Sequence, residues 1–220
     1  MPFLSDTVIC FDLDDTLYKE IDFLKSAYKE IAVSVGHPEA AEQMLDWFYS
    51  KDNAFEKLID TYGLSTTVTD CLKIYRNHFP DITLDDGVKE YLVGLKQDDA
   101  KLGLISDGRS VTQRNKIKAL GLEGLFDVEI ISEEFGAEKP DIKNFQVVMD
   151  KFPERHRFIY VGDNTKKDFV APNQLGWRTY CLADDGRNIH RQKMSLDEVH
   201  MPQHIIKSIE EIIKKKYGTK

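Results

Sequence analysis

The second half of the chain alternates short apolar runs with stretches of helical periodicity, and this alternation constrains the fold more than any other feature. An earlier apolar run, Val8 to Phe11, belongs to the same set. The later runs are residues 102–105, 128–131, 158–161 and 179–182. Strands that alternate with helices form parallel sheets covered on both faces. The sequence therefore predicts an α/β fold with a Rossmann-like parallel sheet and helices on both faces.

Helical periodicity fills the intervals between these runs. Helices are predicted over residues 88–96, 110–121, 142–151 and 167–175. Ser110 caps the second of them and Gly121 ends it. A final helix is predicted to carry five isoleucines, namely Ile205, Ile206, Ile209, Ile212 and Ile213.

The segment from about Lys19 to Pro80 has helical periodicity without apolar strand-like runs. Four stretches each carry an apolar face. The first comprises Ile21, Leu24, Tyr28, Ile31 and Val35, and the second comprises Met44, Trp47 and Phe48. The third comprises Phe55, Leu58, Ile59 and Tyr62, and the fourth comprises Val68, Leu72, Tyr75 and Phe79. Four amphipathic helices with short loops can form a small bundle. We therefore expect an α/β core of residues 1–18 and 81–220 with an inserted helical bundle of residues 19–80.

Charge and composition narrow the classes of partner. The chain has 220 residues and a net charge of −8, so it repels nucleic acids and anionic membranes. The basic run Lys214-Lys215-Lys216 is interpreted as a complement to the negative end of the last helix. There is no signal-like or membrane-spanning stretch, and three well-separated cysteines, Cys10, Cys71 and Cys181, are typical of buried thiols. A cytoplasmic protein without nucleic-acid or membrane partners is expected.

Polar groups follow three of the apolar runs. Asp12-Leu13-Asp14-Asp15-Thr16 follows the first, Ser106-Asp107-Gly108 another, and Gly162-Asp163-Asn164 a third, with Asp168 just beyond. Lys139-Pro140 opens the helix before the third of these runs. Each group alone is a common turn or helix cap. Together they indicate a ligand site, because the carboxyl ends of parallel strands meet at one edge of a sheet.

The same edge would crowd four carboxylates, those of Asp12, Asp14, Asp163 and Asp168. Two like charges about 4 Å apart repel by roughly 4 kcal/mol at an effective dielectric of 20, so a bound cation is expected. Ligands that are all oxygen favour Mg²⁺ over zinc. Lys139 would add positive charge.

Taken together, the four groups resemble the signature motifs of the haloacid dehalogenase superfamily. The resemblance covers nearly the whole chain, and residues 19–80 are similar to that family's small helical cap. Ser132-Glu133-Glu134-Phe135-Gly136 resembles its phosphatase-like members. One departure is Asp107, since the family often has Asn after the Ser or Thr of the second motif.

The resemblance implies a phosphatase that works through a phospho-aspartate. Asp12 would be the nucleophile, and Asp14 the general acid and base, with a raised pKa. Mg²⁺ would be bound by Asp12, Asp163 and the carbonyl of Asp14, with Asp168 supporting it directly or through water. Phosphoryl oxygens would be held by Ser106, Lys139 and backbone N–H groups near Leu13, Asp14 and Asp107.

Three further functions compete with that of a phosphatase. Asp14 argues against a dehalogenase, because displacing halide from carbon needs neither that acid nor Mg²⁺. A phosphomutase of the same fold and a catalytically inactive phosphate-binding regulator both remain open.

The substrate would be a small phosphorylated metabolite, either a sugar phosphate or a nucleoside monophosphate. Polar candidates to contact it from the predicted helical cap are Tyr18, Lys19, Lys51, Arg76 and His78. The segment Ala183 to Met201 contains no recognisable motif.

Overall fold

A single parallel sheet of six strands organises the molecule, and the computed structural model describes residues 4–193 and 197–214. The strands are β1 Thr7–Phe11, β2 Lys101–Ser106, β3 Val128–Ile131, β4 Arg157–Gly162, β5 Arg178–Leu182 and β6 His204–Ile206. Their order is β3-β2-β1-β4-β5-β6, and all neighbours pair in parallel. The predicted parallel α/β fold is confirmed.

Ten α-helices are found in the described ranges. They are α1 Glu20–Ser34, α2 Ala40–Tyr49, α3 Ala54–Tyr62, α4 Val68–Asn77, α5 Val88–Gln97, α6 Ser110–Ala119, α7 Ser132–Phe135, α8 Lys143–Lys151, α9 Val170–Gln174 and α10 Glu211–Lys214. A 3₁₀ turn spans Glu198–His200.

The predicted final helix is wrong in its first part. His204–Ile206 forms the edge strand β6, which pairs with β5 through Cys181 and Ile205, and the helix begins only at Glu211. The two consecutive β-branched residues Ile205 and Ile206 fit a strand as well as a helix. They form a strand here because the edge of β5 is available for pairing. The predicted basic run continues through residues 215 and 216, which lie outside the described residues.

The sheet is buried on both faces, and this places its strand ends in a sheltered position. Successive side chains of β1 point to opposite faces, so Ile9 and Phe11 join one apolar cluster while Val8 and Cys10 join the other. All five residues of β1 are buried. Each face is covered by helices, as expected of a parallel sheet.

The helices α1 to α4 share an apolar cluster of their own between β1 and α5. It includes Ile31, Met44, Leu58 and Cys71, all fully buried. Local signals in the sequence set the helix ends: Gly63 adopts a left-handed conformation after α3, and Thr67 and Asp70 form a capping box at α4. These four helices and the residues that connect and flank them, 19–80, are called the helical block below.

The three cysteines are buried and free, as predicted. Within the described ranges, every helix is too short or too polar to cross a bilayer.

Candidate active site

The carboxyl ends of β1, β2 and β4 bring the predicted site residues together. Asp12 continues from β1 and its N–H donates to the Val161 carbonyl of β4 at 2.8 Å. Ser106 is the last residue of β2, and Asp163 directly follows β4. The strand β1 lies between the other two, so Asp12 is central in the group.

Three carboxylates meet at this edge. Asp12, Asp163 and Asp168 each offer an oxygen, and the three oxygens lie within 4.8 Å of one another. All three residues are buried. Burial, followed by the charges of Asp168 and Asp12, raises the pKa of Asp163 to about 9. Burial also raises the pKa of Asp12 to about 7, with Lys139 opposing the rise and Asp168 adding to it. A buried cluster of three carboxylates offers oxygen ligands that fit a hard divalent cation such as Mg²⁺.

Lys139 is the cation that the chain itself supplies to this cluster. Its side chain is fully buried, with Nζ 2.6 Å from Asp12 Oδ1 and 2.9 Å from Asp168 Oδ1. Nζ also donates to the Tyr160 hydroxyl at 3.0 Å. Burial lowers the pKa of Lys139, but the Asp12 and Asp168 carboxylates outweigh burial and hold it well above its ordinary value. The ammonium therefore stays charged beside Asp12.

Asp168 shapes the turn that follows β4. Its Oδ2 accepts hydrogen bonds from the N–H groups of Asp163 and Asn164, at 3.1 and 2.8 Å. A Cβ at Gly162 would lie 2.5 Å from this oxygen, so the close approach requires glycine. The other oxygen, Oδ1, is ion-paired with Lys139 Nζ but accepts no hydrogen bond from the described residues.

Asp14 lies in a second network beside the carboxylate cluster. Its Oδ1 accepts from the Tyr18 hydroxyl at 2.5 Å and from Lys116 Nζ at 2.6 Å, and its Oδ2 accepts from Gln113 at 2.9 Å. Burial alone would raise the pKa of Asp14, but the Lys116 charge and these hydrogen bonds outweigh it and hold the pKa below its ordinary value. The predicted raised pKa of Asp14 is therefore wrong for this arrangement. The prediction failed because no pattern along the chain indicates that a buried lysine lies beside Asp14.

The second motif connects both networks. The buried Ser106 hydroxyl accepts a hydrogen bond from Gln113 at 2.5 Å. Asp107, the residue that departs from the family pattern, accepts from the Lys139 N–H at 2.9 Å and from Lys167 Nζ at 2.6 Å. The departure therefore has a structural use, because one carboxylate fixes the backbone of Lys139 and holds a second lysine near the site.

Four other predicted residues lie in different environments. Leu13 is fully buried in an apolar cluster of the sheet, so only its backbone can face a ligand. Tyr18 contacts Asp14, whereas Lys51 is exposed. His78 is buried and its Nδ1 lies 2.9 Å from the Tyr75 carbonyl.

The helix α6 attaches the helical block to the core. Thr112 donates to the Arg76 carbonyl at 2.9 Å, and Asn115 donates to the carbonyls of Asn77 and His78. These contacts use backbone oxygens at the end of α4, so the predicted specificity candidate Arg76 is held by its main chain.

Four residues of the site were not identified from the sequence. They are Gln113, Lys116 and Lys167, together with Asn188, whose side-chain amide donates to Asp163 Oδ2 at 2.9 Å. Gln113 and Lys116 are three positions apart on α6 and share its buried face. That spacing was the available signal, but polar residues at helical spacing usually mark a solvated face.

Comparison with known proteins identifies the family. A profile of the haloacid dehalogenase-like hydrolases matches residues 9–182 of this chain. The chain belongs to this family, as its motifs predicted.

Individual relatives define the class more closely. Glyceraldehyde 3-phosphate phosphatase from Methanocaldococcus jannaschii is 27% identical, with 93% of this chain and 94% of that protein covered. Pyrimidine 5'-nucleotidase YjjG from Escherichia coli is 35% identical over 38% of each chain. The solved structure of the HAD-hydrolase YfnB from Bacillus subtilis, bound to magnesium, superposes with a TM-score of 0.71 at 20% identity, covering 96% of this chain and 98% of that one. The protein is accordingly a phosphoric monoester hydrolase.

Proposed function

We propose that the chain is a magnesium-dependent phosphatase that hydrolyses the phosphate monoester of a small metabolite through a phospho-aspartate at Asp12. The observation that carries the proposal is the setting of Asp12. This buried carboxylate lies between the ammonium of Lys139 and the carboxylates of Asp163 and Asp168. A nucleophile that must approach an anionic phosphoryl group needs positive charge on both sides, and Lys139 supplies one of them.

The residues present fit Mg²⁺ as the second positive charge. Asp12, Asp163 and the Asp14 carbonyl would hold it, with Asp168 in support, and few protein ligands suit an ion that keeps several waters. When bound, the ion would neutralise charge on the phosphoryl oxygens.

In the first half of the proposed reaction, an oxygen of Asp12 forms a bond to phosphorus and the bond from phosphorus to the ester oxygen breaks. The leaving oxygen takes a proton from Asp14. Lys139 and the Ser106 hydroxyl bind the phosphoryl oxygens. In the second half, water attacks phosphorus and gives a proton to Asp14 while the bond between phosphorus and the Asp12 oxygen breaks. Phosphate is then released and the Asp12 carboxylate is restored.

The geometry at Asp14 adds a condition to this mechanism. Its carboxylate is ion-paired with Lys116, and an ionised acid has no proton to give. Substrate binding must therefore weaken the contact between Asp14 and Lys116 before the leaving oxygen can be protonated.

We assign the helical block, residues 19–80, the role of a cap that selects the leaving group. Its start adjoins the site, since Tyr18 contacts Asp14 and α1 begins two residues later.

A triose or other sugar phosphate is favoured as substrate, because the glyceraldehyde 3-phosphate phosphatase matches over nearly the full length of both proteins. The match to the nucleotidase supports a nucleoside monophosphate over a much shorter segment. The free buried cysteines support a cytoplasmic location.

The test is a phosphate-release assay on p-nitrophenyl phosphate, glyceraldehyde 3-phosphate and a panel of nucleoside monophosphates. We expect release that requires Mg²⁺ and ranks triose phosphate above nucleotides. Conversion of a sugar phosphate into its isomer without release of phosphate would indicate the phosphomutase instead. Absence of turnover on the whole panel, with Mg²⁺ bound, would indicate the inactive regulator.

A further inference from the structure

The segment 184–193 after β5 carries no family motif, yet it returns to the carboxylate cluster. The side-chain amide of Asn188 donates from Nδ2 to Asp163 Oδ2 at 2.9 Å. Within residues 4–193 and 197–214, this amide is the hydrogen-bond donor to the Asp163 carboxylate. Asp163 itself is only 4% exposed, so few other groups can reach it.

The orientation of the amide is fixed by a buried lysine. Lys19 Nζ donates to Asn188 Oδ1 at 2.8 Å, and its side chain is 6% exposed. An ammonium can only donate, so the oxygen of the amide must face Lys19 and the NH₂ group must face Asp163. The same ammonium pairs with Asp185 at 3.3 Å, which keeps it in place beside the segment.

Contacts made by two residues that follow Asn188 hold the segment against the site. The Ile189 N–H donates to Asp15 Oδ2 at 3.0 Å, and the Ile189 side chain packs on the apolar cluster of the helical block. The Gln192 side chain donates to the Asp163 carbonyl at 2.9 Å and to the Leu182 carbonyl at 2.7 Å. The position of Asn188 is therefore set by several independent contacts.

We propose that Asn188 is a positioning residue that orients Asp163 for binding the divalent cation, with Lys19 setting the direction of its amide. The inference rests on the proposed function for the identity of the cation. A hydrogen bond to one carboxylate oxygen fixes the direction of the other, and such partners of metal ligands commonly change metal affinity by about 10–100-fold.

The test measures Mg²⁺ binding by titration calorimetry on the full chain without any phosphate ester. Asn188→Ala and Asn188→Leu both remove the donor, and the leucine keeps most of the volume. We expect both to weaken Mg²⁺ binding by about 10–100-fold. His190→Ala, an exposed position in the same segment, is the control and should bind like the wild type.

Two further measurements separate positioning from a general loss of structure. The kcat of the Asn188 variants on p-nitrophenyl phosphate should keep rising with Mg²⁺ over concentrations that already saturate the wild type, because excess ion compensates for weak binding but not for a misfolded site. Lys19→Met should also weaken Mg²⁺ binding, and adding it to Asn188→Ala should cause no further loss, since both act through one amide.

Mg²⁺ affinity within threefold of wild type in both Asn188 variants would overturn the inference and leave the proposed function standing. The two proposals can also fail the other way round. If the wild-type chain releases no phosphate but the Asn188 variants bind Mg²⁺ more weakly, the positioning role of Asn188 is supported and the phosphatase function is refuted. An equal loss of affinity in His190→Ala would assign the effect to the segment as a whole and overturn the role of Asn188.

Discussion

Lys116 Nζ lies 2.6 Å from Asp14 Oδ1, and the pair joins α6 to the loop after β1. The lysine side chain is 4% exposed and its Nζ also lies 4.4 Å from the centre of the Phe23 ring of α1. One ammonium thus contacts both the proposed acid and the first helix of the helical block. A movement of that block would change the surroundings of Lys116 and hence the charge of Asp14.

Lys116→Met should raise the pKa of Asp14, because the largest influence that lowers it would be gone while burial remains. The limb of the kcat/KM profile that requires protonated Asp14 should move to higher pH. Removing one partner of a buried pair should also cost roughly 3–5 kcal/mol of stability at neutral pH. The exposed Lys118→Met is the matched control for thermal unfolding. An unchanged pH profile would separate Lys116 from the acid.

The stability of the metal-free protein should fall as pH rises from about 5 to 9. In the folded chain the pKa values of Asp12 and Asp163 are about 7 and about 9, well above the ordinary value of 3.8. The folded state therefore binds more protons than the unfolded state in this range, so raising the pH favours unfolding. Mg²⁺ should flatten the dependence by stabilising the ionised forms.

Melting temperatures measured against pH, with and without Mg²⁺, check this directly. Asp163→Asn removes the carboxylate with the higher pKa, so its metal-free melting temperature should depend less on pH than that of the wild type. A wild-type melting temperature that rises from pH 5 to 9 without metal would contradict the proposed electrostatics.

Asp12→Asn should reduce turnover by about 10⁴-fold or more, the scale of losing a catalytic nucleophile. The amide is nearly isosteric, so the protein should remain folded. Phosphate release is compared with Asp150→Asn, a surface change on α8 that should keep full activity. Retention of substantial steady-state activity by Asp12→Asn would remove the phospho-aspartate from the mechanism.

The meeting of the site residues at the strand ends was predictable from the sequence because it follows from the topology of a parallel sheet. Parallel strands place their carboxyl ends at one edge, so finding the apolar runs before Asp12, Ser106 and Asp163 was enough to predict that these residues meet. Lys139 was expected to add positive charge at this edge, and the structure places its ammonium 2.6 Å from Asp12. Distances and partner atoms were beyond this reasoning, as the reversed direction of the pKa of Asp14 illustrates.

The residues that escaped prediction share a physical reason. Lys116 is buried on a helix with few apolar residues, so periodicity gives no core-facing side. Asn188 reaches Asp163 from an irregular segment 25 residues away, and such segments have no period from which to infer contacts. The strand at Ile205 and Ile206 was misassigned because short β-branched runs fit both helix and strand.

Substitutions at Asp107 test whether this departure from the family pattern contributes to substrate binding. Asp107→Ala removes the acceptor for the Lys139 N–H and the partner of Lys167. Charge-assisted hydrogen bonds contribute about 1.5–3 kcal/mol each, so KM for an aryl phosphate should rise by about tenfold or more. Asp107→Asn keeps an oxygen acceptor for the backbone and should lose only the ion pair, giving a smaller rise. Equal effects of the two variants would contradict separate roles for the two oxygens.

Calcium should inhibit where magnesium activates. Mg²⁺ prefers six ligands at about 2.0–2.1 Å and keeps waters, whereas Ca²⁺ takes roughly six to eight oxygens. In the structure Asp12 Oδ1 already contacts Lys139 at 2.6 Å, so a cation that also grips both oxygens would leave none free to attack phosphorus. We therefore expect Ca²⁺, titrated against a fixed Mg²⁺ concentration, to suppress phosphate release while still protecting the fold against heat. Mn²⁺, which also accepts octahedral oxygen sites, serves as the control and should sustain turnover. Equal rates with Ca²⁺ and Mg²⁺, or full activity in the presence of a chelator, would refute the geometry proposed for Asp12.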